Sequence, residues 1–270
     1  MAMERLTFSP FVLNVYGYCG QSAMNEIAVD NVEKVFSVRS YRFDNAFRLQ
    51  TCLAVAKAVA HVHTGELVDT MAISTGRNQT KIKPAALVHY DLNPRNVAIM
   101  ADGTPKLNDF NVAEFLRWDN YTKTPCGFTG RFWEPWWRAP EEMATSDKEK
   151  AEKYQLIYDP NSTALTEKVD VYSLGNIMYR ILTGHAPRGK SVPEREIEVR
   201  EDVANGFLPS LDRYYTKSKD PNIAAIVEAM LMCFNPNPTE RSTAKEVAQY
   251  LEDAENKITA SREVKRKIAK

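Results

Sequence analysis

The hydrophobic positions of this chain fall into stretches with different periods. Residues 11–19 are rich in β-branched and aromatic side chains and follow a polar turn ending at Ser9-Pro10, which predicts a strand. A weaker run at 26–29, after the turn Gly20-Gln21-Ser22, predicts a second. Two strands alone are marginal in water, so they imply a sheet with further strands. From Asn45 to His63 the period changes: Leu49, Leu53, Ala56 and Ala60 recur at spacings of four, three and four. That is the spacing of an amphipathic helix, and Gly65 stands where it can end. Residues 66–84 are polar and irregular, the mark of an insertion. Residues 97–100 and 106–108 then flank Ala101-Asp102-Gly103-Thr104, a strong hairpin signal. Beyond Lys168, the residues Ile177, Met178, Ile181 and Leu182 are apolar on more than one face, which predicts a helix surrounded by protein.

Composition narrows the classes. At roughly 150 residues per domain, 270 residues make one large domain or two unequal lobes sharing a cleft. Lys+Arg 35 against Asp+Glu 35 leaves no net charge, which argues against a protein that coats nucleic acid and against an acidic, solvating chain. No apolar run approaches 18 residues and the start is no secretory leader, so no membrane span and a cytoplasmic location are expected. Cys19, Cys52, Cys126 and Cys233 are far apart, which fits a reducing compartment. His61 and His63 have no other ligand at metal spacing, and the glycosylation-like triplets at Asn78, Asn120 and Asn161 are read as accidental.

The hairpin carries the first chemistry. A turn centred on Asp102 and Gly103 sets Asn96 opposite Asp109. Opposed residues have Cβ atoms about 4.5–5.5 Å apart. An amide oxygen and a carboxylate at that separation suit a Mg²⁺ that keeps waters and takes phosphate oxygens. The bland alternative is a pair of polar strand ends.

The surroundings decide between these. The chain reads His89-Tyr90-Asp91-Leu92-Asn93-Pro94-Arg95-Asn96, then Asp109-Phe110-Asn111, then Ala139-Pro140-Glu141, then Asp170-Val171-Tyr172-Ser173-Leu174-Gly175, and finally Arg241. In order and spacing this resembles the eukaryotic protein kinase family, with its H-R-D-L-x-x-x-N, D-F-G and A-P-E motifs. Small-molecule kinases share a similar catalytic loop but lack the later segments. The resemblance implies an α+β, protein kinase-like fold, mainly the α-helical lobe with a remnant of the β-lobe. It divides the chain into 1–30 (β-lobe remnant), 31–252 (helical lobe) and 253–270 (a basic helical tail). It further implies ATP and Mg²⁺ as cofactors and a protein substrate. Asp91 would orient the substrate hydroxyl, and Asn96 and Asp109 would hold metal. Ala98 and Asn108 would border the nucleotide, and Glu141 would pair with Arg241.

Departures from the family pattern are equally specific. Tyr90 replaces the arginine that clamps a phosphorylated activation loop in the family. Asn93 replaces a lysine common near the transferring phosphate, and Arg95 is expected to restore that charge. Asn111 replaces a glycine in a loop that often needs φ > 0, a position asparagine tolerates. No G-x-G-x-x-G and no V-A-I-K-like strand occurs, so the chain is expected to be the catalytic part of a longer kinase. The alternative is a kinase-like binding scaffold without catalysis. Asn93-Pro94 and Tyr16-Gly17-Tyr18-Cys19 resemble serine/threonine kinases, whereas Trp137 and Arg95 resemble tyrosine kinases; Ser/Thr is favoured. A second insertion, 145–163, reads as a solvated helical excursion, and Arg262, Lys265, Arg266, Lys267 and Lys270 as a solvated helix end.

Overall fold

The computed structural model describes residues 6, 9–19, 22–37, 43–64, 87–119, 121–122, 124–131, 134–162 and 164–268. The expected cap Gly65, the insertion at 66–84, the turn residues Gly20 and Gln21, and Asn120 lie outside them. The first strands are β1 (Val15–Cys19) and β2 (Ser22–Asn25), antiparallel with Cys19 opposite Ser22. The second strand therefore precedes the expected 26–29. A hairpin pairs outward from its turn; just past β2 Glu26 N–H still donates to Asn14 O at 2.9 Å, while its carboxylate meets Lys106 at 2.7 Å. Residues 11–13 do not lengthen β1 either: Leu13 N–H donates to Leu107 O at 2.9 Å, and Leu107 N–H to Phe11 O at 2.8 Å.

β3 (Asp30–Asn31) leads into the short helix α1 (Val32–Val35), whose N-cap is Asn31. The expected long helix is α2 (Asn45–Thr64), started by Asp44 Oδ1 accepting from Phe47 N–H at 2.8 Å. It buries more than the predicted stripe, since Val55, Ala58 and Val62 are covered too.

β4 (Leu87–Val88) enters the loop that begins at His89, and β5 (Val97–Ile99) and β6 (Pro105–Leu107) form the hairpin. Its register differs from the expected one by a single residue. Gly103 is left-handed (φ 87°), so the loop holds three residues, closed by Met100 N–H to Thr104 O at 2.9 Å. Val97 then faces Leu107, and Asn108 N–H donates to Asn96 O at 2.9 Å, so Asn96 lies opposite Asn108 and Asp109 comes one step later. β3 adds to β5 to complete a three-stranded sheet, and β7 (Glu114–Phe115) returns to pair with β4.

β8 (Trp118–Asp119) and β9 (Thr124–Pro125) make a small hairpin within the following segment. The second insertion is more ordered than a solvated excursion. β10 (Ala144–Thr145), α3 (Lys148–Tyr154) and β11 (Ile157–Tyr158) form a strand–helix–strand unit with parallel pairing, and Ala151 and Leu156 are buried beneath it.

The core centres on α4 (Lys168–Thr183), with α5 (Glu196–Ala204), α6 (Arg213–Thr216), α7 (Pro221–Cys233) and α8 (Ala244–Ile268) following. As expected, α4 is buried nearly all round. A Cβ on Gly175 would stand 2.7 Å from the Phe234 ring and 2.8 Å from Cys233 Cβ, so glycine sets how closely α4 and α7 approach. Arg48 of α2 reaches the far end of α4, donating to Leu182 O at 3.0 Å and to Ile181 O. α8 packs along α2 and continues without a break past residue 252, so the basic tail is the end of the same helix.

Candidate active site

The loop after β4 is held by a carboxylate from α4. Asp170 Oδ2 accepts from His89 N–H at 2.7 Å and Oδ1 from Tyr90 N–H at 2.9 Å, and His63 Nε2 meets Oδ2 at 3.0 Å. Tyr90 is left-handed (φ 66°), a conformation that a bulky residue adopts only under constraint. Asp170 provides that constraint through a pair of hydrogen bonds to charge in a buried setting. His89 is fully buried, with Nε2 2.8 Å from Asn108 O and Nδ1 accepting from Asp91 N–H at 3.3 Å, which assigns the proton to Nε2. His89 thereby ties the catalytic loop to the strand that delivers Asp109.

Around this frame the expected site residues divide into two groups. Asp91, Asn93 and Asn96 are brought together: Asn96 Nδ2 donates to Asp91 O at 2.8 Å and Oδ2 at 3.1 Å, and Asn93 Nδ2 to Asp91 O at 3.1 Å. Asn93 also caps the 3₁₀ turn Pro94–Asn96, its Oδ1 accepting from Arg95 N–H at 3.0 Å. With its nitrogen so committed, Asn96 keeps its amide oxygen as a ligand atom. Asp109 is left-handed (φ 63°), and among the described residues no hydrogen bond or ion pair occupies its carboxylate. Two hard oxygen donors fit a Mg²⁺ that takes its other ligands from water and phosphate. No cluster of three His, Cys, Asp or Glu side chains that could hold a metal ion occurs among the described residues. Left-handed backbone was expected at Asn111; it falls two residues earlier, on Asp109.

Arg95 and Ala98 lie apart from that group. The Arg95 guanidinium, 73% exposed, pairs with Glu33 of α1 at 2.7 Å and does not join Asp91. Its position on a capped 3₁₀ turn aims it outward, and Glu33 lies in its path. Ala98 is buried with Leu13 and Met100 in a small apolar cluster. The cation that does reach Asp91 is Arg138, whose Nη2 donates to Asp91 Oδ1 at 3.2 Å. Its Nη1 donates to Tyr90 O at 2.5 Å and lies 3.5 Å from Glu142 Oε1. Glu142 Oε2 accepts from Ala139 N–H at 2.7 Å. Burial pushes the Glu142 carboxyl up to about 7, against the opposing pull of Arg138. Arg138, Glu142 and Asp170 were not singled out from the sequence. A lone Arg beside Ala-Pro-Glu gives no spacing signal, although the acid in the first turn of an otherwise apolar helix does mark Asp170.

The segment between Asp109 and Glu141 is seated by neutral contacts as well as ionic ones. Tyr90 Oη accepts from Arg131 N–H at 2.7 Å, its ring meets Phe128 edge-on at 4.8 Å, and Phe128 and Leu165 exchange backbone hydrogen bonds of 2.9 and 2.8 Å. Ser173 Oγ and Asn176 Nδ2, both on α4, donate to Trp137 O at 2.8 and 3.2 Å. The expected Glu141–Arg241 pair is present as a two-pronged contact of 2.7 and 2.9 Å, with further Arg241 bonds to Asn235 O and Lys168 O.

Comparison with known proteins agrees with this architecture. The family model described as protein kinase domain matches residues 2–251. A probable LRR receptor-like serine/threonine-protein kinase of Arabidopsis thaliana is 23% identical over 257 residues, 90% of this chain and 22% of that protein. A probable serine/threonine-protein kinase of Dictyostelium discoideum, MARK-C, is 29% identical over 167 residues, 61% of this chain and 17% of its own length. The receptor protein-tyrosine kinase CEPR1 of Arabidopsis thaliana is 25% identical over 173 residues, 62% of this chain and 16% of that protein. The chain therefore spans less than a quarter of the length of these relatives. Among the described residues no helix is long and apolar enough to cross a membrane. A family match over nearly the whole chain, the catalytic-loop cluster and the closed Glu141–Arg241 pair lead to one conclusion: this chain belongs to the protein kinase family.

Proposed function

We propose that this chain carries the catalytic lobe of a protein kinase acting on serine or threonine hydroxyls. The observation that carries the reading is the Asp91–Asn96 pair, a carboxylate fixed by an amide, with Asp109 one step past Asn108 on the facing strand end and its carboxylate without a hydrogen bond or ion pair among the described residues. Asp91 accepts the proton of the substrate hydroxyl through a carboxylate that stays partly exposed with Arg138 on Oδ1 and Asn96 on Oδ2. Asn96 and Asp109 hold Mg²⁺, and Asn108 borders the nucleotide. Bound Mg·ATP supplies the phosphoryl group: the substrate oxygen bonds the γ-phosphorus as the β–γ bridging bond breaks and ADP leaves. The preference for Ser/Thr draws support from relatives named as serine/threonine kinases, against one named as a tyrosine kinase. ATP as donor and four free thiols belong to a reducing, cytoplasmic compartment, where we place the reaction.

A second reading, a kinase-like scaffold without turnover, is favoured by one observation: a guanidinium already sits on the carboxylate that would take the proton. The same assay separates the two. The protein, isolated as its own cell makes it, is incubated with radiolabelled Mg·ATP and dephosphorylated casein, and the labelled residues are identified. Phosphoserine or phosphothreonine is expected, lost by about 10²–10⁴-fold in Asp91→Asn. Full turnover in that variant overturns the assignment of Asp91, label on tyrosine overturns the substrate class, and no label at all supports the scaffold.

A further inference from the structure

Transfer of a phosphoryl group gathers negative charge beside Asp91, and catalysis is mostly positioning and charge neutralisation. Among the described residues that flank Asp91 in the chain, none brings it a cation. Asn93 is neutral and spent on capping, and Arg95 is drawn off by Glu33. The positive charge at Asp91 arrives from residue 138, at the other end of the activation segment.

Arg138 is built in rather than resting on the surface. It is 8% exposed, and its fork makes three contacts on two elements: Asp91 Oδ1 and the carbonyl of left-handed Tyr90 in one loop, and Glu142 in the Pro140–Met143 turn. Its guanidinium carbon also stands 5.2 Å from the centre of the Tyr90 ring. A planar fork can satisfy such divergent acceptors where a lysine ammonium offers a single point charge. Asp91 is thereby oriented from two sides, Arg138 on Oδ1 and Asn96 on Oδ2. A carboxylate has about four acceptor sites, so these two bonds leave room for a hydroxyl proton.

We propose that Arg138 is the positioning residue of this site: it fixes the rotamer of Asp91 and supplies the positive charge that positions 93 and 95 do not, with Glu142 bracing it from behind. The assignment rests on the phosphotransfer reading above. It ties the competence of Asp91 to the seating of the segment's end, because Arg138 can reach Asp91 only while the adjoining Ala139–Glu142 turn is docked.

Two measurements test it. The first is a double-mutant cycle in urea denaturation, without nucleotide, on Asp91→Asn, Arg138→Gln and their combination. The contact predicts coupling of about fivefold or more in the unfolding constant. Additive effects overturn it. The second is steady-state kinetics on the protein as its cell makes it, with Mg·ATP and casein. Arg138→Gln should lower kcat by about 10- to 100-fold with KM for ATP within about twofold. Arg138→Lys should recover part of that loss, and it also serves where the glutamine variant does not fold. Adding Arg138→Gln to Asp91→Asn should cost nothing more.

Turnover that is lost in Asp91→Asn but unchanged or faster in the Arg138 variants overturns this proposal and leaves the kinase reading standing; faster turnover would make Arg138 a latch. No turnover in the unaltered protein, with the coupling intact, overturns the kinase reading and the positioning role of Arg138 together.

Discussion

Glu141 and Glu142 are neighbours, each facing a buried arginine, yet they make two different kinds of contact. Glu141 and Arg241 close at 2.7 and 2.9 Å, and Arg241 spends its other donors on backbone carbonyls, so every charge has a partner. Glu142 and Arg138 stand 3.5 Å apart, and Arg138 divides its donors between Glu142, Tyr90 and Asp91. The first pair joins the end of the activation segment to the helical core and ends there. The second sits in series with the residue proposed to do the chemistry. Neighbouring glutamates therefore differ in what their partners are free to do: a saturated arginine serves stability, and a shared one serves position.

The comparison can be broken from the saturated side first. Arg241→Met should leave the largely covered Glu141 without its counter-charge and cost about 3–5 kcal/mol, read as a lower urea midpoint. A loss below about 1 kcal/mol would show that the closed pair contributes little.

A smaller effect is expected from Glu142, and it depends on pH. The folded carboxyl titrates at about 7 against an ordinary value of 4.5, so the native state keeps a proton that the unfolded chain releases. The associated stability is full below the unfolded value, is lost as pH rises toward the folded one, and is constant above it. Stability curves of the unaltered protein and of Glu142→Gln should therefore separate across that window, by on the order of 3 kcal/mol. Parallel curves would remove the distinction between the two glutamates.

The smallest effect belongs to Arg95→Ala. An exposed pair such as Arg95–Glu33 is worth about 0–1 kcal/mol. Because that guanidinium points to α1, kcat should also stay within about twofold of the parent, in contrast to Arg138. A large loss of kcat would return the positive charge to position 95.

What the sequence made legible was whatever short spacing dictates. Asp91 and Asn96 sit on one compact loop, so their distance follows from five residues of chain; the long helix α2 follows from its apolar period. The Glu141–Arg241 pair was reached by family resemblance and needed no geometry. Misses came where one residue has several possible destinations. The hairpin register moved because Gly103 can adopt φ 87° and so admits a three-residue loop. Arg95 was captured by Glu33, 62 residues upstream, and its place at Asp91 was taken by Arg138, 47 residues downstream. A side chain's period says which face it is on, and only the folded neighbourhood says which acceptor wins.

The Tyr90 hydroxyl that receives the Arg131 N–H has a consequence for how this site responds to its solution. An arginine-to-phosphate clamp works through charge, and mobile ions screen exposed charges beyond about 8 Å at physiological ionic strength. The phenol-to-amide bond is neutral and short, 2.7 Å, and the backbone exchange between Phe128 and Leu165 is neutral too. Added salt can weaken the half-exposed Arg131–Glu114 pair beside them, while these anchors keep their strength. These two anchors of the segment, unlike its ionic contacts, are in that respect indifferent to ionic strength.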